Sequence, residues 1–248
     1  MTPEIPYKRK VVDPIECIKS GWEMVKPHYW LFVGMAFIAH IIGQAVPLIL
    51  MGPMLCGFYV SLFTARRREP IEFATMFKGF DFFGPSLVAT VLHMLPVAAV
   101  LIPTYILFYA SFVFAMMAQT QSSNPNPVGI LGVFFTFSLV MIVVSVVILI
   151  ISVGFTFAYP LIADRRLSGL DAVKLSFKGG MANFWRLLAM MLLTGVMTTA
   201  GIAFCIIGMY LVLPISYGAI AAAYEQVFGL KDPREFAADL PPPPPVFN

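Results

Sequence analysis

Charge is scarce in this chain. Only 12% of its 248 residues are Asp, Glu, Lys or Arg, while 59% are hydrophobic. A soluble domain carries roughly 25% charged residues. Mean hydropathy is +0.86. A water-soluble globule of this size has too little interior to hide so much apolar surface, so lipid is the expected solvent. The three cysteines, Cys17, Cys56 and Cys205, are too few and too scattered for a disulfide framework or a Cys-rich metal site. A net charge of +3 and the absence of any basic recognition motif argue against nucleic acid as a partner. The polar first 27 residues contain no apolar run, so no cleavable signal peptide is expected and the first hydrophobic helix serves as an uncleaved anchor. No paired acids, Ser-His-Asp set, His-Glu-x-x-His or phosphate-cradling glycine loop falls in a membrane-facing position, which points to a non-enzymatic protein without a cofactor or metal. The 15 methionines are scattered among Leu and Phe and read as adaptable packing.

What the chain does have is a strict arrangement of its charges. Pro27–Ala65, Phe82–Ala163 and Leu187–Tyr224 carry none. A helix crossing a bilayer needs about 20 apolar residues. The first and third stretches fit two helices and a tight turn each. The second fits two longer helices joined by the polar link Gln119–Pro127. This predicts an all-α integral membrane fold, a six-helix transmembrane bundle in three hairpins, with helices near 28–46, 47–66, 84–118, 128–162, 184–204 and 208–228. Both termini and the loops 67–83 and 163–183 then share one face with all 16 Lys and Arg. The positive-inside rule makes that face cytoplasmic. The outer hairpins barely reach across; a re-entrant course would leave the charges on the same side. The middle helices overshoot: about 35 residues rise ~52 Å against a ~30 Å hydrocarbon core. Pro96, Pro103 and Pro160 are expected to bend them.

A parallel internal repeat is also legible. Asp13-Pro-Ile-Glu16 and Ser168-Gly-Leu-Asp171 each read as an N-cap with an acid three residues on. At one common offset follow Ile15, Ile18 and Trp22 against Leu170, Val173 and Phe177, Lys19 against Lys174, and Tyr29-Trp30 against Phe184-Trp185. Later, Pro53-x-x-x-Gly57 matches Pro214-x-x-x-Gly218 after a short insertion. The repeat units are about 13–66 and 168–228, flanking the middle hairpin 84–162, in one membrane domain (13–230). A short N-terminal segment (1–12) and a proline-rich tail (231–248) are both expected in the cytoplasm. Helices at 14–26 and 169–180 are amphipathic and suit the cytoplasmic interface. The apolar stripe Phe73, Met76, Phe77 and Phe80 marks a third such segment.

Candidate functional residues are few. Intramembrane ionisable groups are the usual starting point. His40 and His93 lie at similar depths, with Gln44 nearby; they read as an intramembrane polar site or as two ordinary buried polar residues. Arg186 and Glu225 sit at similar depth in one hairpin and suit a structural ion pair. Gly218 and Ala222 form a small-residue face for close helix packing, within the chain or against another subunit. The five prolines after Leu240 favour an extended tail.

Gly52-Pro-x-x-x-Gly57, the basic exit Arg66-Arg-Arg68, Met76-Phe-Lys-Gly-Phe80, Ala158-Tyr-Pro-Leu-Ile-Ala-Asp164, Asp171-Ala-Val-Lys-Leu-Ser176 and Pro214…Tyr224 before Gly229 together resemble a broad group of bacterial polytopic membrane proteins of unknown function. That group is similar to the membrane domain attached to some glycerophosphodiester phosphodiesterases. The resemblance implies a bacterial inner-membrane protein and carries no catalytic residues. The expected partners are the lipid bilayer and a membrane protein, either another subunit or a second copy. The leading expectation is an accessory, scaffold or membrane-homeostasis subunit. The alternative is a transporter or channel for a lipid-like or small amphipathic molecule, which requires a cavity lined by His40, Gln44 and His93.

Overall fold

The computed structural model describes residues 5–121, 128–203 and 206–231. Most of the polar link, Cys205 and the proline-rich tail lie outside the described residues. The described chain is helical: α1 (Pro14–Val25), α2 (Tyr29–Ala45), α3 (Pro47–Arg66), α4 (Phe83–Gln121), α5 (Val128–Phe155), α6 (Ala158–Arg165), α7 (Gly169–Ala182), α8 (Phe184–Ala203) and α9 (Ile206–Phe228), with a 3₁₀ segment at Phe73–Phe82. Six helical stretches are long and apolar enough to cross a membrane, as in a multi-pass membrane protein.

The ends of these helices follow local chemistry. Asp13 caps α1, its carboxylate accepting from the backbone N–H of Ile15 and Glu16. Ser168 caps α7 by accepting from Asp171 N–H, and its hydroxyl donates to the Asp171 carboxylate at 2.7 Å. Gly229, at φ +70°, ends α9 in the left-handed conformation that glycine adopts at little cost.

Prolines act unevenly. Pro96 and Pro103 lie inside α4, which stays helical throughout. The helix expected at 128–162 does break, between α5 and α6. The break falls four residues before Pro160, whose ring would clash with the Thr156 carbonyl in a continuous helix and which has no N–H to offer. Ser176 of α7 fills the gap: its hydroxyl accepts from Phe157 N–H at 3.0 Å and donates to Gly154 O at 2.8 Å. Ser176→Ala leaves that buried N–H unpaired and is expected to cost about 1–3 kcal/mol, read as a lowered Tm in detergent.

The segment at 73–82 departs from the expected stripe. A 3₁₀ helix repeats every three residues, not every 3.6. Met76, Gly79 and Phe82 therefore share one buried face and Phe77 and Phe80 an exposed one, while Phe73, at the first residue of the segment, is exposed as well.

In the packing, α3 lies against α2, α4, α6 and the 3₁₀ segment, and α9 lies against α1, α8 and α2. The core collects where the charged chain ends meet, around Phe32, Phe58, Leu62, Phe157, Leu187 and Tyr224. Beyond Thr90, none of the described side chains of α4 is buried, and its rings meet those of α5, as in Phe108 with Phe137 at 3.9 Å. Glycines permit the closest approaches. Gly21 of α1 lies against Gly218 and Ala219 of α9; a Cβ there would stand 2.5 Å from Ala219 N. Gly57 of α3 and Gly79 of the 3₁₀ segment lie back to back. A Cβ on Gly180 of α7 would stand 2.5 Å from the Val153 carbonyl oxygen of α5.

Candidate functional site

The intramembrane polar residues do not form one site. His40, on α2, packs its ring edge-on to Tyr210 at 5.7 Å. With Gln44, Met51, Phe58 and Tyr217 it lines a void of only about 30 Å³, room for a water or two. His93, on α4, stacks on Phe155 at 4.7 Å, and its buried Nε2 has no hydrogen-bond partner. The two histidines thus face different neighbours. Among the described residues no three His, Cys, Asp or Glu side chains are grouped to hold a metal ion.

Arg186 and Glu225 take other partners. Glu225 forms a bidentate pair with Arg66 from the end of α3, at 2.9 and 3.2 Å. Arg186 donates to the Val12 carbonyl at 3.2 Å. The Arg66–Glu225 pair is 39% and 31% exposed, so its contribution is small. Glu225→Gln is expected to change stability by less than about 1 kcal/mol, checked by the same melting measurement.

The strongest polar cluster centres on Asp164, at the end of α6. Its side chain is fully buried. It accepts from Tyr224 Oη at 2.7 Å, from Arg67 Nη2 at 3.2 Å and from Lys231 N–H at 3.2 Å, and it pairs with Arg165 Nε at 3.2 Å. Arg165 Nη2 also donates to the carbonyls of Phe228 and Gly229, the last of α9. Three chain segments, the ends of α3, α6 and α9, are thereby tied at one end of the bundle. The sequence carried one sign of this cluster: Asp164 is the first charge after the longest charge-free stretch, and two arginines follow it.

A second lattice fixes the N-terminal strap. Lys8 N–H donates to Val227 O at 2.9 Å. Buried Asn183, between α7 and α8, donates to Lys8 O and accepts from Val11 N–H, both at 3.1 Å. The strap and α7 form the walls of an open groove of about 1080 Å³. The small-residue face of Gly218 and Ala222 is buried, with α1 against Gly218.

No protein-family model, no curated protein and no solved structure matches the chain.

Proposed function

We propose that the chain is a non-enzymatic bacterial inner-membrane protein that serves as an accessory, scaffold or membrane-homeostasis subunit. The observation that carries this reading is the filled space between the outer hairpins. Transport between the outer hairpins needs a cavity around His40 and Gln44, and the space there is about 30 Å³. The conserving of polar chemistry for the charged end fits a static role: Asp164, Asn183 and their partners lock chain segments together. With Lys and Arg gathered at that end, the positive-inside rule places both termini in the cytoplasm. The α1 and α7 helices then lie in the interface, with Trp30 (75% exposed) and Trp185 (78% exposed) at headgroup level.

The parallel repeat belongs to the same reading. Each interfacial segment rests on a glycine or its neighbour in a long helix of another hairpin: α1 on Gly218, the 3₁₀ segment on Gly57, and α7 beside Gly154. The middle hairpin thus follows the plan of the two outer ones. A partner has one large unpacked surface to use, the distal halves of α4 and α5, where Phe114 is 75% and Phe135 68% exposed. Native mass spectrometry of the protein extracted gently from its own membrane tests the proposal. A protein companion at fixed stoichiometry, lost in a Phe114→Ala/Phe135→Ala variant, is the expected result. A chain that comes out alone, or a companion indifferent to that face, overturns it.

A further inference from the structure

Both walls of the groove carry apolar and basic side chains: Ile5 and Arg9 come from the strap, and Val173, Leu175 and Phe177 with Lys174 and Lys178 come from α7. Lys174 and Lys178 are one helical turn apart, so their like charges stack on one face of α7. Neither forms an ion pair among the described residues. Among the described residues Arg9 has a ring contact and a hydrogen bond to Tyr7, at 5.8 Å and 3.5 Å, and no ion pair. Asp171 also lines the groove and keeps its charge; its carboxylate accepts from the Ser168 hydroxyl at 2.7 Å, and three cations face this one acid. The groove is also pre-shaped. Asn183 and Val227 pin the strap by its backbone, so a ligand does not have to order it. Finally, α7 is joined through Asn183 to α8, a candidate membrane span, so Phe177 and Lys178 lie within two turns of the start of that span.

We propose that this groove binds the phosphate of an anionic phospholipid, with Arg9, Lys174 and Lys178 around the phosphate and Phe177 and Leu175 against the start of the acyl chains. Basic pockets at the cytoplasmic ends of membrane helices suit such headgroups, and the apolar side chains distinguish a lipid from a free phosphate. This inference does not depend on the scaffold reading; a bound lipid is compatible with either function.

The test uses the full chain in neutral detergent, with phosphatidylglycerol and phosphatidylcholine supplied at equal mole fraction, and lipid retention read by native mass spectrometry. Wild type is expected to retain phosphatidylglycerol at least about tenfold over phosphatidylcholine, from roughly a fivefold gain per cation near the lipid surface. Lys174→Gln/Lys178→Gln, two surface changes that leave the fold's contacts intact, lowers that preference at least about tenfold, Arg9 alone keeping no more than about fivefold. Lys19→Gln, the matching lysine on α1, keeps it. An undiminished phosphatidylglycerol preference in the double variant overturns the proposal. So does displacement of the lipid by inorganic phosphate at the same concentration, which identifies a free-anion site instead.

Discussion

Asp164→Asn is expected to destabilise the protein by about 3 kcal/mol, within the range for removing one partner of a buried ion pair. Asparagine keeps the shape, so no cavity forms; what is lost is the negative charge. Arg67 and Arg165, 25% and 20% exposed, would then face each other with no anion between them. Tyr224 Oη and Lys231 N–H would keep only a neutral acceptor. Tyr224→Phe removes one charge-assisted hydrogen bond from the same cluster and is expected to cost about 1–2 kcal/mol. The double variant should fall short of the sum, because both changes act on one carboxylate. Denaturant titration in mixed micelles measures all three. A loss below about 1 kcal/mol for Asp164→Asn would mean that water, not Asp164, satisfies the two arginines.

Gly57→Ala is expected to cost about 3 kcal/mol, at the upper end for overpacking. The new methyl would fall on the carbonyl oxygen of Met76, and from the opposite side a Cβ on Gly79 would meet the Pro53 carbonyl. Both obstacles are backbone, so no side chain can turn aside. Either α3 or the 3₁₀ segment must move, and with it the buried contacts of Met76 and Phe82. Gly84→Ala is the control. Nothing lies within 4 Å of its Cβ position, and in a helix alanine is favoured over glycine by about 1 kcal/mol. It should leave stability unchanged or raise it slightly.

Much of the helical layout was legible because charge is so costly in hydrocarbon that its absence draws the long helices directly. Observed α2, α3, α8 and α9 begin and end within two residues of the expected positions. The α5–α6 break was foreshadowed by Pro160, but its place depends on Ser176 reaching in from α7, a contact between distant parts of the chain. The segment at 73–82 was read with a 3.6 period because short 3₁₀ stretches leave no sequence signal distinct from a helix. Glu225 was matched to Arg186 by depth along one hairpin. Its actual partner, Arg66, comes from another hairpin's end, which only the assembled bundle reveals. Gly218 was recognisable as a close-packing residue; its neighbour Gly21 was not, since it lies on a helix too short and polar to count among the spans. Asp164 stood outside the search for intramembrane groups because it sits at a helix end, and its burial arises from the convergence of α3, α6 and α9.

The central claim is that six helices cross the bilayer and leave the clamped, basic end inside the cell. Cysteine accessibility in intact cells tests it most directly. The reporters are Gln44→Cys, Ser123→Cys and the native Cys205 on one side, and Lys78→Cys on the other, each alone in a background otherwise free of cysteine. Cys205 serves the third turn better than a cysteine at Gly208, whose Cβ would collide with the Gly201 backbone. An impermeant maleimide applied outside is expected to label 44, 123 and 205 and to leave 78 untouched until the membrane is opened. Labelling of 78 from outside would contradict the orientation. Protection of 44 or 205 in intact cells, with labelling after permeabilisation, would contradict the full span of its hairpin.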